Sequence, residues 1–115
     1  MNPTRLFLRL YVNCESADDA SSMDGRLMAQ LSRFSPEPHA EPRRYWKMPE
    51  MFEFTYRLSP ACATTVGEFV ARSSGGWSHS TAGNESSSVW NRQSDHVLLV
   101  PEVAWAHLEL HEVGS

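Results

Sequence analysis

The sequence predicts an α+β fold: a two-layer sandwich, with a mainly antiparallel sheet carrying two helices on one face, ferredoxin-like in outline. Two kinds of pattern lead there. Three stretches alternate apolar and polar residues with a period of two: Leu6/Leu8/Leu10/Val12, Phe52/Phe54/Tyr56/Leu58 and Ala104/Ala106/Leu108/Leu110. That period marks strands with one buried face. Two other stretches, Met23/Leu27/Leu31/Phe34 and Cys62/Val66/Phe69/Val70, place apolar residues at helical spacing. Helices with a single apolar stripe are best buried together on one side of a sheet.

Taken in order, the first strand sets Leu6, Leu8, Leu10 and Val12 against Phe7, Arg9, Tyr11 and Asn13. Ser16 then offers an N-cap, and Asp18 and Asp19 place negative charge at the helix start, where the peptide dipoles favour it. Gly25 weakens this helix a little. Ser35-Pro36-Glu37-Pro38 ends it, and a proline-rich link runs to Pro42. Pro49 makes Tyr45 to Met48 an edge segment or a stretch across a bulge, because proline cannot donate to a central ladder.

Ser59-Pro60 reads as an N-cap followed by proline in the first helical position, and Gly75-Gly76 as the stop of that second helix. Residues 77–88, WSHSTAGNESSS, read as a flexible loop or a hairpin turning at Ala82-Gly83-Asn84. Val89 to Asn91 looks like the end of a third strand. A turn at Arg92 to Asp95 leads into His96–Val100, and Pro101 precedes the last strand, expected to close the sheet. That strand points Ala104, Ala106, Leu108 and Leu110 inward and Val103, Trp105, His107 and Glu109 outward.

A chain of 115 residues with 41% hydrophobic and 21% charged residues is expected to fold as one domain, residues 1–115. A net charge of −4 argues against nucleic-acid binding through a general basic surface; it suits a basic partner, or solubility alone. Cys14 and Cys62, far apart and without an export signal, read as free thiols. Arg5 and Arg9 interrupt the N-terminal apolar run too soon for a signal peptide, and no stretch is long enough to span a membrane. The expected location is cytoplasmic.

The outward row of the sheet would display Phe7, Arg9, Tyr11, Glu53, Thr55, Arg57, Trp105, His107 and Glu109. Aromatic residues interleaved with charges suit a binding surface. A metal site is not expected. His107 and His111 on one strand lie about 13 Å apart, and His39, His79 and His96, read as loop residues, have no cysteine at ligand spacing. Cys62 lies on an apolar stripe, and Cys14 lies among carboxylates that raise a thiol pKa. The serines of 78–88 lack a nucleophile elbow. No catalytic residue and no cofactor are predicted. An enzyme would have to use a shallow set such as Arg9, His107 and Glu109; the alternative function is a small-molecule-binding protein or enzyme with a pocket between the sheet and the 77–91 loop.

The words Tyr45-Trp46-Lys47-Met48-Pro49-Glu50, Ser88-Val89-Trp90-Asn91 and Pro101-Glu102-Val103-Ala104-Trp105-Ala106 resemble those of small bacterial proteins akin to polymorphic-toxin immunity proteins. The resemblance covers the last two thirds of the chain and carries no catalytic motif. It implies a non-catalytic, stoichiometric role: binding a partner protein and occluding it. Tryptophan and tyrosine dominate interface energetics, so the expected anchors are Tyr11, Trp46, Trp77, Trp90 and Trp105. Glu53, Glu102 and Glu109 would steer a basic partner. Two other outcomes are a homodimer through the sheet faces and tryptophans that serve only to pack the core.

Overall fold

The computed structural model describes residues 4–72, 77–82, 85–91 and 98–112. The strands are β1 (Thr4–Asn13), β2 (Glu37–Arg44), β3 (Met51–Leu58), β4 (Trp77–Ala82), β5 (Glu85–Asn91) and β6 (Val103–Glu112); the helices are α1 (Ala17–Gln30) and α2 (Ala63–Arg72). They form the expected α+β two-layer arrangement around one six-stranded sheet in the order β2-β3-β1-β6-β5-β4. Every neighbouring pair is antiparallel. Without the β4–β5 hairpin the element order is β-α-β-β-α-β, a split β-α-β arrangement with β1 at its centre. The hairpin adds two strands beyond β6, and of the expected turn at Ala82-Gly83-Asn84 the last two residues lie outside the described residues. None of the described helices is long and apolar enough to cross a membrane.

The inner face is built by the three predicted rows. Leu6, Leu8, Leu10, Val12, Phe52, Phe54, Tyr56, Leu58, Ala106 and Leu108 are all buried, and Leu110 packs at the margin. Each large side chain removed from water there contributes about 1.5–3 kcal/mol. Helix α1 covers this face with Ala20, Met23 and Leu27, continued by Leu31 and Phe34 in a 3-10 turn at Ser32–Phe34. Its start is capped as expected: the Asp19 N–H donates to Ser16 Oγ at 3.2 Å. Phe34 meets Phe69 of α2 edge-on at 5.4 Å, and Arg33 pairs with Glu68 at 2.8 Å, so the two helices are joined by both kinds of contact.

Tyr56 is buried on this face, and its hydroxyl donates to Asp24 Oδ1 of α1 at 2.5 Å. Burial, and then the Asp24 charge, push the phenol far above its usual range, so it stays a donor at any working pH. Tyr56→Phe should lower stability by about 1.5 kcal/mol, the worth of a hydrogen bond to a charged acceptor. Urea titration would register that as a lower midpoint with an unchanged slope.

Four expectations need correction. The proline-rich link is a strand: β2 pairs with β3 despite Pro38 and Pro42, with register shifts at Pro38/Ala40 and Ala40/Arg43. It is an edge strand, where a missing N–H does least harm. Helix α2 begins at Ala63 rather than Pro60; Ser59-Pro60 is a cis peptide outside the helix. His39 and His79, read as loop residues, lie in strands β2 and β4, since of the two readings of residues 77–88 the structure forms the paired strands of a hairpin. Lastly, alternation in β6 breaks at its start. Tyr11 opposes Trp105, but Val12 opposes Val103. The extra residue, Ala104, forms a bulge, which turns Val103 into the core at 1% exposure and leaves Ala104 only half-buried. The expected stop at Gly75-Gly76, the turn at Arg92 to Asp95 and His96 lie outside the described residues.

The two cysteines are free and differ in burial. Cys14 is buried, and burial with Asp19 and Glu102 nearby raises its pKa. Cys62 lies just before α2, with Sγ 3.4 Å from Thr65 Oγ1, and that hydrogen bond, first among several, lowers its pKa. Thiolate is the reactive form, so iodoacetamide at neutral pH should modify Cys62 well before Cys14. The order can be read by peptide mass spectrometry, and equal rates would contradict it.

Candidate functional site

Both helices lie on the inner side, and the opposite face of the sheet keeps its side chains half-exposed. Strand register arranges them in rows. Arg57, Phe7, Glu109 and Ser87 form one; Thr55, Arg9, His107 and Val89 the next; Glu53, Tyr11, Trp105 and Asn91 a third. The outward face expected from sequence is therefore real, with β5 adding Ser87, Val89 and Asn91.

One end of this face is aromatic. The Tyr11 ring lies 4.6 Å from Tyr45 and 4.9 Å from Trp105, and Trp105 reaches His107 at 5.7 Å. Tyr45 comes from the turn between β2 and β3, which is closed by Tyr45 N–H to Met51 O and Met51 N–H to Met48 O, both 2.8 Å. Pro49 sits in that turn and costs the ladder nothing. Tyr11, Tyr45, Met48, Met51, Ala104 and Trp105 border a depression of about 360 Å³. The β6 bulge opens it: one extra residue between Val103 and Trp105 keeps the indole outward while Val103 turns in. Trp46 stands beside the depression at 79% exposure and Met48 at 42%, the two exposed large hydrophobic residues among those described.

The five expected anchors divide by face. Tyr11 and Trp105 gather here, and Trp46 adjoins them through Tyr45, 6.4 Å from its ring. Trp90 does not: it is 0% exposed, a core residue opposite Ala106, whose small side chain leaves room for the indole. Trp77 opposes Trp90 on the helix side and packs edge-on against Phe69 at 5.9 Å. Neither is an exposed anchor. Tyr45, Met48 and Met51 were missed; their signal was the apolar content of the turn around Pro49.

The other end of the face is polar. The Glu109 carboxylate sits between two imidazoles, with Oε1 3.0 Å from His107 Nδ1 and Oε2 2.8 Å from His111 Nε2. His107 Nε2 lies 2.5 Å from Ser87 Oγ. Beside them Phe7, Arg9, His39, Thr55, Glu109 and His111 line a shallow hollow of about 210 Å³. Among the described residues no group of three or more His, Cys, Asp or Glu is arranged to hold a metal ion.

The charges expected to steer a partner are already engaged. Glu53 pairs with Arg43 at 3.1 Å, Glu102 with Arg26 at 2.7 Å, and Glu109 with the two histidines. Arg9 and Arg57, by contrast, have no carboxylate partner among the described residues, and their Nε atoms are buried without an acceptor. Arg57 is held over the Phe7 ring, 5.9 Å from its centroid. Residues 77–82 and 85–91, expected to border a small-molecule pocket, extend the sheet in its own plane as β4 and β5.

Fold and face together define an α+β sandwich with one sheet face open, aromatic at one end and polar at the other. The chain matches no family model, no curated protein and no solved structure.

Proposed function

We propose that the open sheet face docks a partner protein and occludes it, in the manner of an immunity or inhibitor protein. The observation that carries this reading is Trp46, a large apolar side chain 79% exposed beside a depression walled by Tyr11, Tyr45 and Trp105. A folded chain gains nothing from leaving an indole in water, whereas a central pocket ringed by aromatic residues is the form interface hot spots take. The depression would accept an apolar side chain of the partner.

Among the described residues Arg9 and Arg57 carry no ion pair at the centre of the face, which favours acidic groups on that partner there, while Glu37 stands opposite Arg57 on the edge strand β2. Stacking on Phe7 holds the Arg57 guanidinium in place, so little side-chain freedom is lost when a carboxylate meets it. The overall charge of −4 gives no long-range attraction to an acidic partner, so the match is local.

The test is retention of one stoichiometric protein from the source cells by the tagged native chain, compared with Trp105→Ala and Tyr11→Ala variants that melt as folded proteins. Loss of that protein in both variants supports docking at this face. Equal retention by native and variant chains refutes it.

A further inference from the structure

We propose that Ser87 is a nucleophile, activated by His107 and oriented through Glu109, that takes up a small acyl group from an activated ester. This stands independently of docking, since it uses the polar rows of the face.

Hydrogen-bond donors and acceptors fix the direction of the chain. A carboxylate only accepts, so His107 Nδ1, 3.0 Å from Glu109 Oε1, carries the ring proton. In the neutral ring Nε2 then holds a lone pair, and Ser87 Oγ at 2.5 Å must donate its proton to it. Nucleophile, base and carboxylate therefore occur in the order that general-base activation of a hydroxyl requires. His111 holds the second carboxylate oxygen at 2.8 Å and keeps Glu109 from turning away. Three strand registers build this: Glu109 opposes Ser87 across β5–β6, His107 lies two residues before Glu109 on the same face, and Ser80 of β4 opposes Ser87 from the other side.

In the step itself, Ser87 Oγ forms a bond to the acyl carbon while its proton passes to His107 Nε2. The tetrahedral centre then expels the leaving aryloxide or thiolate, which takes the proton from the imidazolium. Glu109 stays ionised throughout and stabilises that imidazolium. Water activated by the same ring nitrogen can later release the acyl group as a carboxylic acid. Backbone N–H groups around Ser87 are committed to the ladders on both sides, so the oxyanion meets solvent rather than a pair of aimed amides. That limits the donor to esters with a good leaving group, such as aryl esters or thioesters. Amides are beyond it.

The experiment treats the full chain with p-nitrophenyl acetate, following phenolate release and locating the acetyl group by peptide mass spectrometry. The expected result is one acetyl group per chain, on Ser87. In a His107→Gln variant with native melting, the acetylation rate should fall at least about a hundredfold, the usual scale of general-base assistance. Unfolding the native chain in urea should abolish the selectivity for Ser87, which keeps the test decisive even if a variant fails to fold. An unmodified Ser87, a Ser87 acetylated equally fast in urea, or an unchanged rate in folded His107→Gln would each overturn the proposal and leave the four side chains as a hydrogen-bonded stitch between β5 and β6.

Discussion

Replacing Trp90 with alanine should destabilise the protein by about 3–5 kcal/mol, the usual cost of removing a buried indole. Trp90 is fully buried among the inner rows, faces Ala106 on β6 and faces Trp77 on β4. Its removal leaves a cavity that two paired strands on either side cannot close by collapsing. For a chain of this size the loss corresponds to a fall in melting temperature of about 15 °C or more. Thermal unfolding followed by circular dichroism would measure it, and a shift of a degree or two would remove Trp90 from the core. Trp105→Ala, at a half-exposed site, should cost far less.

Trp46→Ala has the opposite profile. At 79% exposure, with a ring contact to Tyr45 at 6.4 Å and Lys47 Nζ 5.1 Å from its centroid, Trp46 does little for stability, and the variant should melt within about 0.5 kcal/mol of the native chain. Its effect should fall on the complex, as a loss of about 2 kcal/mol or more, roughly thirtyfold in Kd. Titration calorimetry with the captured partner would read both affinity and stoichiometry. An unchanged Kd would strip the aromatic end of its main anchor.

These two tryptophans show what the sequence can and cannot reveal. The inner rows of β1 and β3 were legible because alternation is a local property, and α1 was legible because its cap and its stripe lie within one stretch. Strand β2 was not: EPHAEPRR has no apolar row, and its pairing rests on β3 supplying the partner groups. The β4–β5 hairpin was one of two readings of its stretch, since its serines give no inward signal to decide between hairpin and loop. Trp105 was legible as outward from the alternation of β6, whereas Trp90 sits in a short apolar context and only long-range register places it opposite Ala106 in the core.

The bulge at Ala104 is likewise a product of pairing, since alternation alone pointed Val103 the wrong way. The outward positions of Tyr11, Glu53, Trp105, His107 and Glu109 were read correctly, but their mutual chemistry was not. The pairing of Glu53 depends on Arg43 from the unforeseen β2, and the Ser87–His107–Glu109 order depends on the register of β5 against β6, which local pattern does not set. Local pattern yields faces. Pairing yields sites.

The most direct test of the docking face places a photo-crosslinking amino acid at Trp46 on the open side and, separately, at Ser22 on exposed helix α1. Irradiation in the source cells should join the partner to the chain from position 46 and not from position 22. Crosslinking from position 22 alone would put the partner on the helical layer and contradict the account.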